Sequence, residues 1–286
     1  MKNQHLKNIL ELNIAVMFIS TSGVFGRAIS LTPSITIWWR CFFATIFIGA
    51  YCWHKKYSFK IENKKDGYNL IISGFFLGTH WVTYFYSLQL SNVAIGMLSL
   101  FTYPVITALL EPLFFKSKLN KIQLLLGLLV LVGIYFLTPE MNLDNNYTKG
   151  VIWGVISAVF YSLRNILTKK NLSHFNGSKV MFYQLLVILA LLWPVFFTFN
   201  FNPKTSDWAQ LLGLALITTA IGHSMFVGVF KNFTISTVSI MSSIGPIFGI
   251  IFGLIFLHEI PASKTIIGGI LILTTVVIEG FTSRKS

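Results

Sequence analysis

Long apolar runs separated by short polar turns dominate the chain. Each run spans about 20 residues, the length that an α-helix needs to cross the hydrocarbon core of a bilayer. The runs lack the alternation of barrel strands, and Leu124–Val132 carries no polar position at all. The pattern predicts an all-α polytopic membrane protein with ten transmembrane helices, over approximately residues 9–30, 34–53, 68–90, 93–115, 120–138, 150–168, 179–200, 208–230, 234–257 and 263–281.

Two boundaries depend on weaker signals. The third and fourth runs are separated only by the turn residues Ser91 and Asn92. The first run follows Lys2 and Lys7 as a signal peptide would, but it is too long, contains Arg27 and lacks a clear small-residue cleavage site. We therefore interpret the first run as the first membrane helix.

The ten predicted helices divide into two sets of five around a polar loop. We interpret residues 1–139 and 150–286 as two repeats that are joined by an external linker at residues 140–149. Because five is odd, the second repeat enters the membrane with the opposite orientation. Weak internal similarity supports the duplication, since Ser91–Pro104 and Phe233–Pro246 each run from a short turn through small residues to a proline.

Pro104 and Pro246 each lie about 12 residues into a predicted span, near the bilayer midplane. A proline inside a helix removes a backbone hydrogen bond, and in lipid the freed carbonyl must find a neighbour or a water-lined cavity. We therefore predict a helix kink at each proline. In inverted repeats, such paired kinks would open a central site to each side in turn. The alternative is that the kinks serve helix packing alone.

Composition and charge narrow the class of protein. Hydrophobic residues make up 54% of the chain and charged residues only 11%, which excludes a soluble domain, a disordered chain and a nucleic-acid-binding module. The net charge of +13 reflects orientation, because 16 of the 22 lysines and arginines fall in predicted inner segments and three in outer ones. The positive-inside rule then places both termini in the cytoplasm, and we predict that the membrane is the bacterial inner membrane.

Three arginines and Glu111 are the candidate charges within the predicted spans, where a charge at the bilayer centre costs at least about 2.5 kcal/mol. Depth places Arg27 and Arg40 in the outer third and Arg164 toward the cytoplasm. No acid shares the depth of Arg27 or Arg40, so their candidate partners are an anionic ligand group or backbone carbonyls. The alternative for all three arginines is that they extend to the nearest interface. Glu111, near the cytoplasmic face, is an interface anchor, a gate or a proton-linked carboxylate.

Polar and aromatic residues near the midplane are candidates for a solute cavity. His80 lies in the middle of the third helix, with Tyr84 one turn on along the same face. His223 lies in the inner half of the eighth helix, and Tyr103 lies deep in the fourth. The alternative for such residues is hydrogen-bonded helix packing. The predicted cavity wall consists of His80, Trp81, Tyr84, Tyr103, His223 and Ser242.

Several kinds of chemistry have no motif in the sequence. No Walker A sequence indicates ATP use, and no HExxH motif or Cys/His cluster indicates a metal or another cofactor. No close Ser–His–acid arrangement indicates an enzyme. Cys41 and Cys52 would lie about 16 Å apart along one helix, too far for a disulfide.

Several short motifs, taken in order, resemble those of the EamA-like family of the drug/metabolite transporter superfamily. The motifs are weak singly, but their order and spacing cover nearly the whole chain. The first half departs by having Lys116-Ser117 where the second half has His258-Glu259. The motifs are Trp39–Ala44, Tyr84–Leu88, Asn92–Ala94, Pro104, Gly222–Phe226, Pro246, Leu257–Glu259 and Gly268-Gly269.

The resemblance implies alternating-access transport of a small organic solute, often an amino acid or a related metabolite, and commonly outward. It also implies a central cavity, with the fifth and tenth helices at the periphery. We therefore predict a secondary exporter that works as a monomer or homodimer, either by proton coupling through His80, His223 or Glu111 or by facilitated exchange. The alternatives are a non-transporting scaffold, a membrane enzyme or a channel.

Overall fold

The computed structural model describes residues 2–61, 63–114, 121–137, 142–172, 174–233 and 235–282. Within these residues every regular element is helical, as the apolar pattern predicts. The predicted linker is described from residue 142 onward, and Lys116-Ser117 lies outside the described residues. The α-helices are α1 (Lys2–Ser20), α2 (Ser22–Ala28), α3 (Pro33–His54), α4 (Lys64–Leu90), α5 (Val93–Leu100), α6 (Tyr103–Phe114), α7 (Lys121–Leu137), α8 (Asn146–Leu172), α9 (Gly177–Leu192), α10 (Val195–Thr198), α11 (Thr205–Gly213), α12 (Ser224–Val229), α13 (Ile235–Ser242), α14 (Gly245–Leu257) and α15 (Ser263–Thr282). A π-helical segment, Leu214–His223, joins α11 to α12 and is called the π-segment below.

Helix length and hydropathy agree with a membrane protein. Six helices are long and apolar enough to cross a membrane. The described residues also contain three shorter apolar helices and the 27-residue α4, which begins with Lys64, Lys65 and Asp66. The prediction of a protein with many membrane helices is confirmed. In the described part of the chain, six spans rather than ten meet the criteria of both helix length and hydropathy. These six are Leu6–Ala28, Pro33–His54, Val93–Phe114, Asn146–Leu172, Gly177–Thr198 and Thr205–Val229.

Two of the helical rods are interrupted next to the prolines that the sequence singles out. α5 ends at Leu100 and α6 begins at Tyr103, so that Pro104 is the second residue of a new helix. α14 begins at Gly245, and Pro246 again comes second. The first N–H groups of a helix have no intrahelical partner, so proline is well tolerated there. The prolines therefore begin new helices, which differs from the predicted bend within a continuous helix.

Helix contacts join the two halves of the chain. α4 lies along α8, and α1 lies along the π-segment and α12. α3 contacts α9, α5 contacts α14, and α7 contacts α15. Each of these contacts pairs a helix from the first half with one from the second. The halves consequently share one interior, where the largest cluster of buried apolar side chains lies.

Candidate functional site

A small cavity lies in the interior that the two halves share. Its volume is about 40 Å³, which is room for only a few water molecules. Nearly all of the lining side chains are buried, so little of the cavity wall is exposed to bulk solvent in this conformation. Apart from the seven residues that follow, the cavity wall is mainly apolar and aromatic. Seven residues that the sequence singles out line it: Arg40, His80, Trp81, Tyr84, Tyr103, His223 and Ser242.

Arg40 is the single lysine or arginine in the cavity wall. Its side chain is fully buried, and its guanidinium carbon lies 3.8 Å from the centroid of the Trp81 ring, which is a cation–π contact. Nε donates a hydrogen bond to Thr219 Oγ1 at 2.7 Å. Nη1 and Nη2 have no hydrogen-bond partner among the described residues. Arg40 is thus fixed in position while its two terminal nitrogens stay available.

His80 is oriented by a serine on the neighbouring helix. Its Nδ1 lies 2.7 Å from Ser157 Oγ, and the same hydroxyl donates to the carbonyl oxygen of His80 at 2.8 Å. Since a serine hydroxyl has one proton, Nδ1 is the donor in the first bond, and Nε2 is the nitrogen left to bind or release a proton. The imidazole stacks on Tyr161, with ring centroids 4.4 Å apart. α4 and α8 therefore hold a fixed imidazole in the wall.

His223 and Trp81 form a second contact across the cavity. Their rings meet edge to face, with centroids 5.1 Å apart. Trp81 Nε1, His223 Nδ1 and Ser242 Oγ are buried and have no hydrogen-bond partner among the described residues. The Tyr103 ring packs against Tyr161 at 4.8 Å. The wall thus combines aromatic faces with several polar atoms that are free to bind.

Arg164 is fully buried but lies outside the cavity wall. Its Nη2 donates to Gln184 Oε1 at 2.9 Å, and its Nη1 donates to Asn165 Oδ1 at 3.1 Å. Gln184 in turn donates from Nε2 to Ser73 Oγ at 2.9 Å. These bonds connect α8, α9 and α4, and Arg164 does not reach an interface. The sequence signal for Gln184 is a lone amide in the otherwise apolar stretch of α9.

Arg27 lies at the end of α2 and is partly exposed. Its Nε lies 2.9 Å from Glu259 Oε1, and its Nη1 donates to the carbonyl oxygen of Gln89 at 3.2 Å. Glu259 Oε2 accepts a hydrogen bond from the backbone N–H of Val93 at 2.8 Å. The depth estimated from the sequence predicts no acidic partner for Arg27, and the ion pair with Glu259 shows that this prediction is wrong. Glu111 is half-buried in α6 and does not line the cavity.

Further contacts close the end of the helix bundle where Arg27 lies. Ser30 donates from its backbone N–H and its hydroxyl to Asp207, at 3.0 and 2.7 Å. Gln89 Nε2 donates to the carbonyl oxygen of Leu31 at 2.9 Å. The loop after α2 is thereby tied to α11 and to α4.

A larger groove lies between α1, α3, α9 and the helix formed by the π-segment and α12. Its volume is about 670 Å³, and it carries both Glu11 and Lys231. His223 lines the central cavity while the next residue, Ser224, lines the groove. One helix wall therefore separates the two spaces. Sequence reasoning missed the groove, because its residues come from four distant segments that carry no shared motif.

The chemistry available in the cavity is non-covalent binding. Its wall contains no Asp or Glu. Among the residues that the structure describes, no group of three His, Cys, Asp or Glu side chains is placed to hold a metal ion. A buried arginine, oriented imidazoles and aromatic faces can bind and orient a small solute.

Comparisons with known proteins agree with this arrangement. The EamA-like transporter family matches residues 7–138 and again residues 148–279. An uncharacterized transporter, YxxF, from Bacillus subtilis is 26% identical over 259 residues, which cover 87% of this chain and 81% of that protein. The pseudopaline exporter CntI from Pseudomonas aeruginosa is 22% identical over 209 residues, covering 73% of each chain. One crystal structure, 16% identical, superposes with a TM-score of 0.72 over 97% of this chain and 99% of that chain.

The fold, the two matched segments and the named relatives define an integral membrane transporter of small molecules, not an enzyme. The chain belongs to the EamA-like transporter family. The family resemblance that the short sequence motifs indicate is thus confirmed.

Proposed function

We propose that the protein is a secondary transporter that moves a small organic metabolite across the bacterial cytoplasmic membrane by alternating access. Its topology is ten spans in two inverted repeats, residues 1–139 and 150–286, with the linker 140–149 outside and both termini in the cytoplasm. The lysine distribution supports this orientation. The helix contacts support the repeat, since the pair α4–α8 has a counterpart in α1 with the π-segment.

The observation that carries the proposal is the small buried cavity at the junction of the halves, whose wall includes a buried arginine and two histidines. Arg40 and His80 come from the first half, while Tyr161 and His223 come from the second. A transporter needs a central site whose wall both halves share, so that a relative movement of the halves exposes it to either side. A channel would need a continuous polar pore, whereas this cavity is small and enclosed by buried side chains.

The direction that we propose is export. In the proposed topology the closed end, with Arg27 and Glu259, faces outward, and the groove with Glu11 and Lys231 faces the cytoplasm. Because one helix wall separates this groove from the cavity, a movement of that helix would let the cavity load from the cytoplasm while the outer end stays closed. Export also agrees with the function named for the Pseudomonas aeruginosa relative.

The proposed solute is an amino acid or a similar small metabolite, and the proposed driving force is either a proton gradient or exchange. His80, with one ring nitrogen fixed by Ser157, and His223 are the proton-carrying candidates in the wall. Glu111 is a candidate outside the wall. The transporting unit is a monomer or a homodimer, which light scattering of the purified protein would distinguish.

The test is counterflow in proteoliposomes. Purified protein is reconstituted, the vesicles are loaded with a panel of unlabelled metabolites, and uptake of the labelled compound is followed with and without a pH gradient. We expect saturable counterflow for at least one solute, and we expect Tyr84→Ala to reduce it at least several-fold. Light scattering checks that the variant is still folded.

Three outcomes would contradict the proposal. Absence of counterflow for every solute would favour a scaffold. Flux that never saturates would favour a channel. Full activity in both His80→Ala and Tyr84→Ala would show that the cavity is not the site.

A further inference from the structure

Resting on the proposed function, and narrowing its solute from amino acids to related metabolites, we propose that the central cavity selects a monocarboxylate anion, that Arg40 binds its carboxylate, and that the site disfavours solutes with a free ammonium group, amino acids included. The distribution of charge in the cavity wall supports a negatively charged solute. Arg40 is the one permanent charge there, and no Asp or Glu lines the cavity. No ion pair in the described part of the chain includes Arg40.

Burying an unpaired cation is costly unless something compensates it. The Trp81 face and the Thr219 hydroxyl compensate Arg40 in part. They leave Nη1 and Nη2, each without a partner and fully buried. Arg164, the other fully buried arginine, differs because the amides of Gln184 and Asn165 bind both of its terminal nitrogens. Arg164 Nε also lacks a partner, but both of its terminal nitrogens are bonded, so Arg40 is the buried arginine whose Nη1–Nη2 edge is open to a ligand.

The geometry of the guanidinium favours a planar acceptor. Contact with the Trp81 face and the bond from Nε to Thr219 fix its plane and leave the edge formed by Nη1 and Nη2. A carboxylate matches such an edge with two parallel hydrogen bonds. Trp81 Nε1, which can only donate, is also unsatisfied in the same wall. One cation balances one carboxylate, whereas a phosphate dianion would leave a negative charge uncompensated.

The rest of the wall describes the body of the solute. Phe101, Tyr103, Tyr161 and Phe226 contribute aromatic surface. An ammonium group would find no carboxylate there and would lie in the same cavity as the Arg40 charge. The cavity must widen to admit any such molecule, and the flexible side chain of Met97 in its wall can move to make room.

The test uses four probes with the same body and different charge: 3-phenylpropionate, L-phenylalanine, 3-phenylpropanamide and 2-phenylethylamine. Binding to the purified full-length protein in detergent is followed by thermal stability and tryptophan fluorescence. We expect 3-phenylpropionate to bind most tightly and 2-phenylethylamine least. We expect Arg40→Lys, which keeps the charge but loses the planar edge, to weaken 3-phenylpropionate about tenfold or more. Lys149→Gln removes an exposed cation and should change nothing.

The result that overturns the inference is equal or tighter binding of the amine or the amide, or no binding of 3-phenylpropionate at all. Arg40→Lys can fail to fold, so Thr219→Val is the second variant. It releases the Nε bond and should weaken 3-phenylpropionate while leaving the amide unchanged. If the anion binds but no solute shows counterflow, the transport function fails and this inference stands. If an amine is transported while the anion neither binds nor inhibits, the reverse holds.

Discussion

Arg27 and Glu259 lie 232 positions apart in the chain, yet their Nε and Oε1 atoms are 2.9 Å apart. The other carboxylate oxygen of Glu259 accepts from the backbone N–H of Val93, and Arg27 also bonds the carbonyl oxygen of Gln89. The ion pair therefore joins four segments: the end of α2, the end of α4, the start of α5 and the loop after α14. In the proposed topology it acts as a latch at the outer mouth.

Breaking this latch should make the cavity easier to reach from outside. We expect Glu259→Gln to raise external access several-fold, because a partly exposed pair contributes up to about 1 kcal/mol to the closed state. The measurement is the rate at which an impermeant thiol reagent labels Ser22→Cys in the cavity wall, with Cys41 and Cys52 replaced by serine.

The charge swap Arg27→Glu with Glu259→Arg restores the pair but not the bond to the Val93 N–H, so it should reverse the effect only in part. Glu11→Gln breaks the Lys7–Glu11 contact, far from the latch along α1, and should leave external labelling unchanged. Unchanged labelling in Glu259→Gln would disprove the latch.

Replacements of Arg164 and Gln184 should have non-additive effects on the free energy of unfolding. Replacing Gln184 by leucine leaves a buried guanidinium donor without a partner, and replacing Arg164 by methionine leaves the amide oxygen unpaired. We expect each change to lower the free energy of unfolding by about 2 kcal/mol. The double variant should lose clearly less than the sum. Melting temperatures of the four proteins in one detergent provide the measurement, and strict additivity would contradict the coupling.

His80 provides a test of proton coupling. His80→Gln keeps a polar side chain of similar reach beside Ser157 but cannot titrate in the working range. We expect counterflow to persist in this variant while acceleration by a pH gradient disappears. Ser162→Ala removes another buried α8 hydroxyl, which bonds the carbonyl oxygen of Tyr103, and should keep the acceleration. A gradient that still drives His80→Gln as well as the native protein would exclude His80 as the coupling group.

Two glycines in one region differ sharply in the space around them. A Cβ on Gly177 would lie 2.4 Å from the carbonyl oxygen of Ser224 and 2.6 Å from the backbone nitrogen of Gly228. A Cβ on Gly228 would meet nothing within 4 Å. We expect Gly177→Ala to force α9 away from α12 and to cost about 1–3 kcal/mol. Gly228→Ala should be neutral or slightly stabilising because alanine favours a helix. Thermal unfolding of both variants makes the comparison, and equal melting temperatures would contradict it.

The sequence predicts the parts of this protein that depend on local pattern. Apolar runs of membrane length identify the helices, and polar residues in the middle of such runs stand out. For this reason His80 and His223 could be chosen for one cavity, and Arg40 as an intramembrane charge, from the pattern alone, and the structure brings all three together in one wall. Their role in binding stays a prediction.

What the sequence does not predict depends on tertiary packing. Glu259 follows a helix end and has the pattern of an interface anchor, so its bond to Arg27 depends on how distant loops meet. Thr219 is one of many hydroxyl residues in apolar helices, and only the fold selects it as the partner of Arg40. The π-segment likewise has no sequence signature, because its extra residue per hydrogen-bonded turn is set by packing.

The π-segment gives the apolar helix Thr205–Val229 wider turns than the α-helices packed around it have in the described part of the chain. Asp207 fixes the preceding α11 to Ser30, while Thr219 and His223 lie on the wider turns of the segment itself. If these turns tightened to α geometry, the part of this helix after Leu214 would rotate about the helix axis. His223 would then leave the cavity wall without a lateral displacement of the helix. A spin label at Gly228, where the side chain has room, would record this rotation as a changed distance to a label at the exposed Trp53. A change of helical pitch would then rotate the helix and exchange the residues that face the solute.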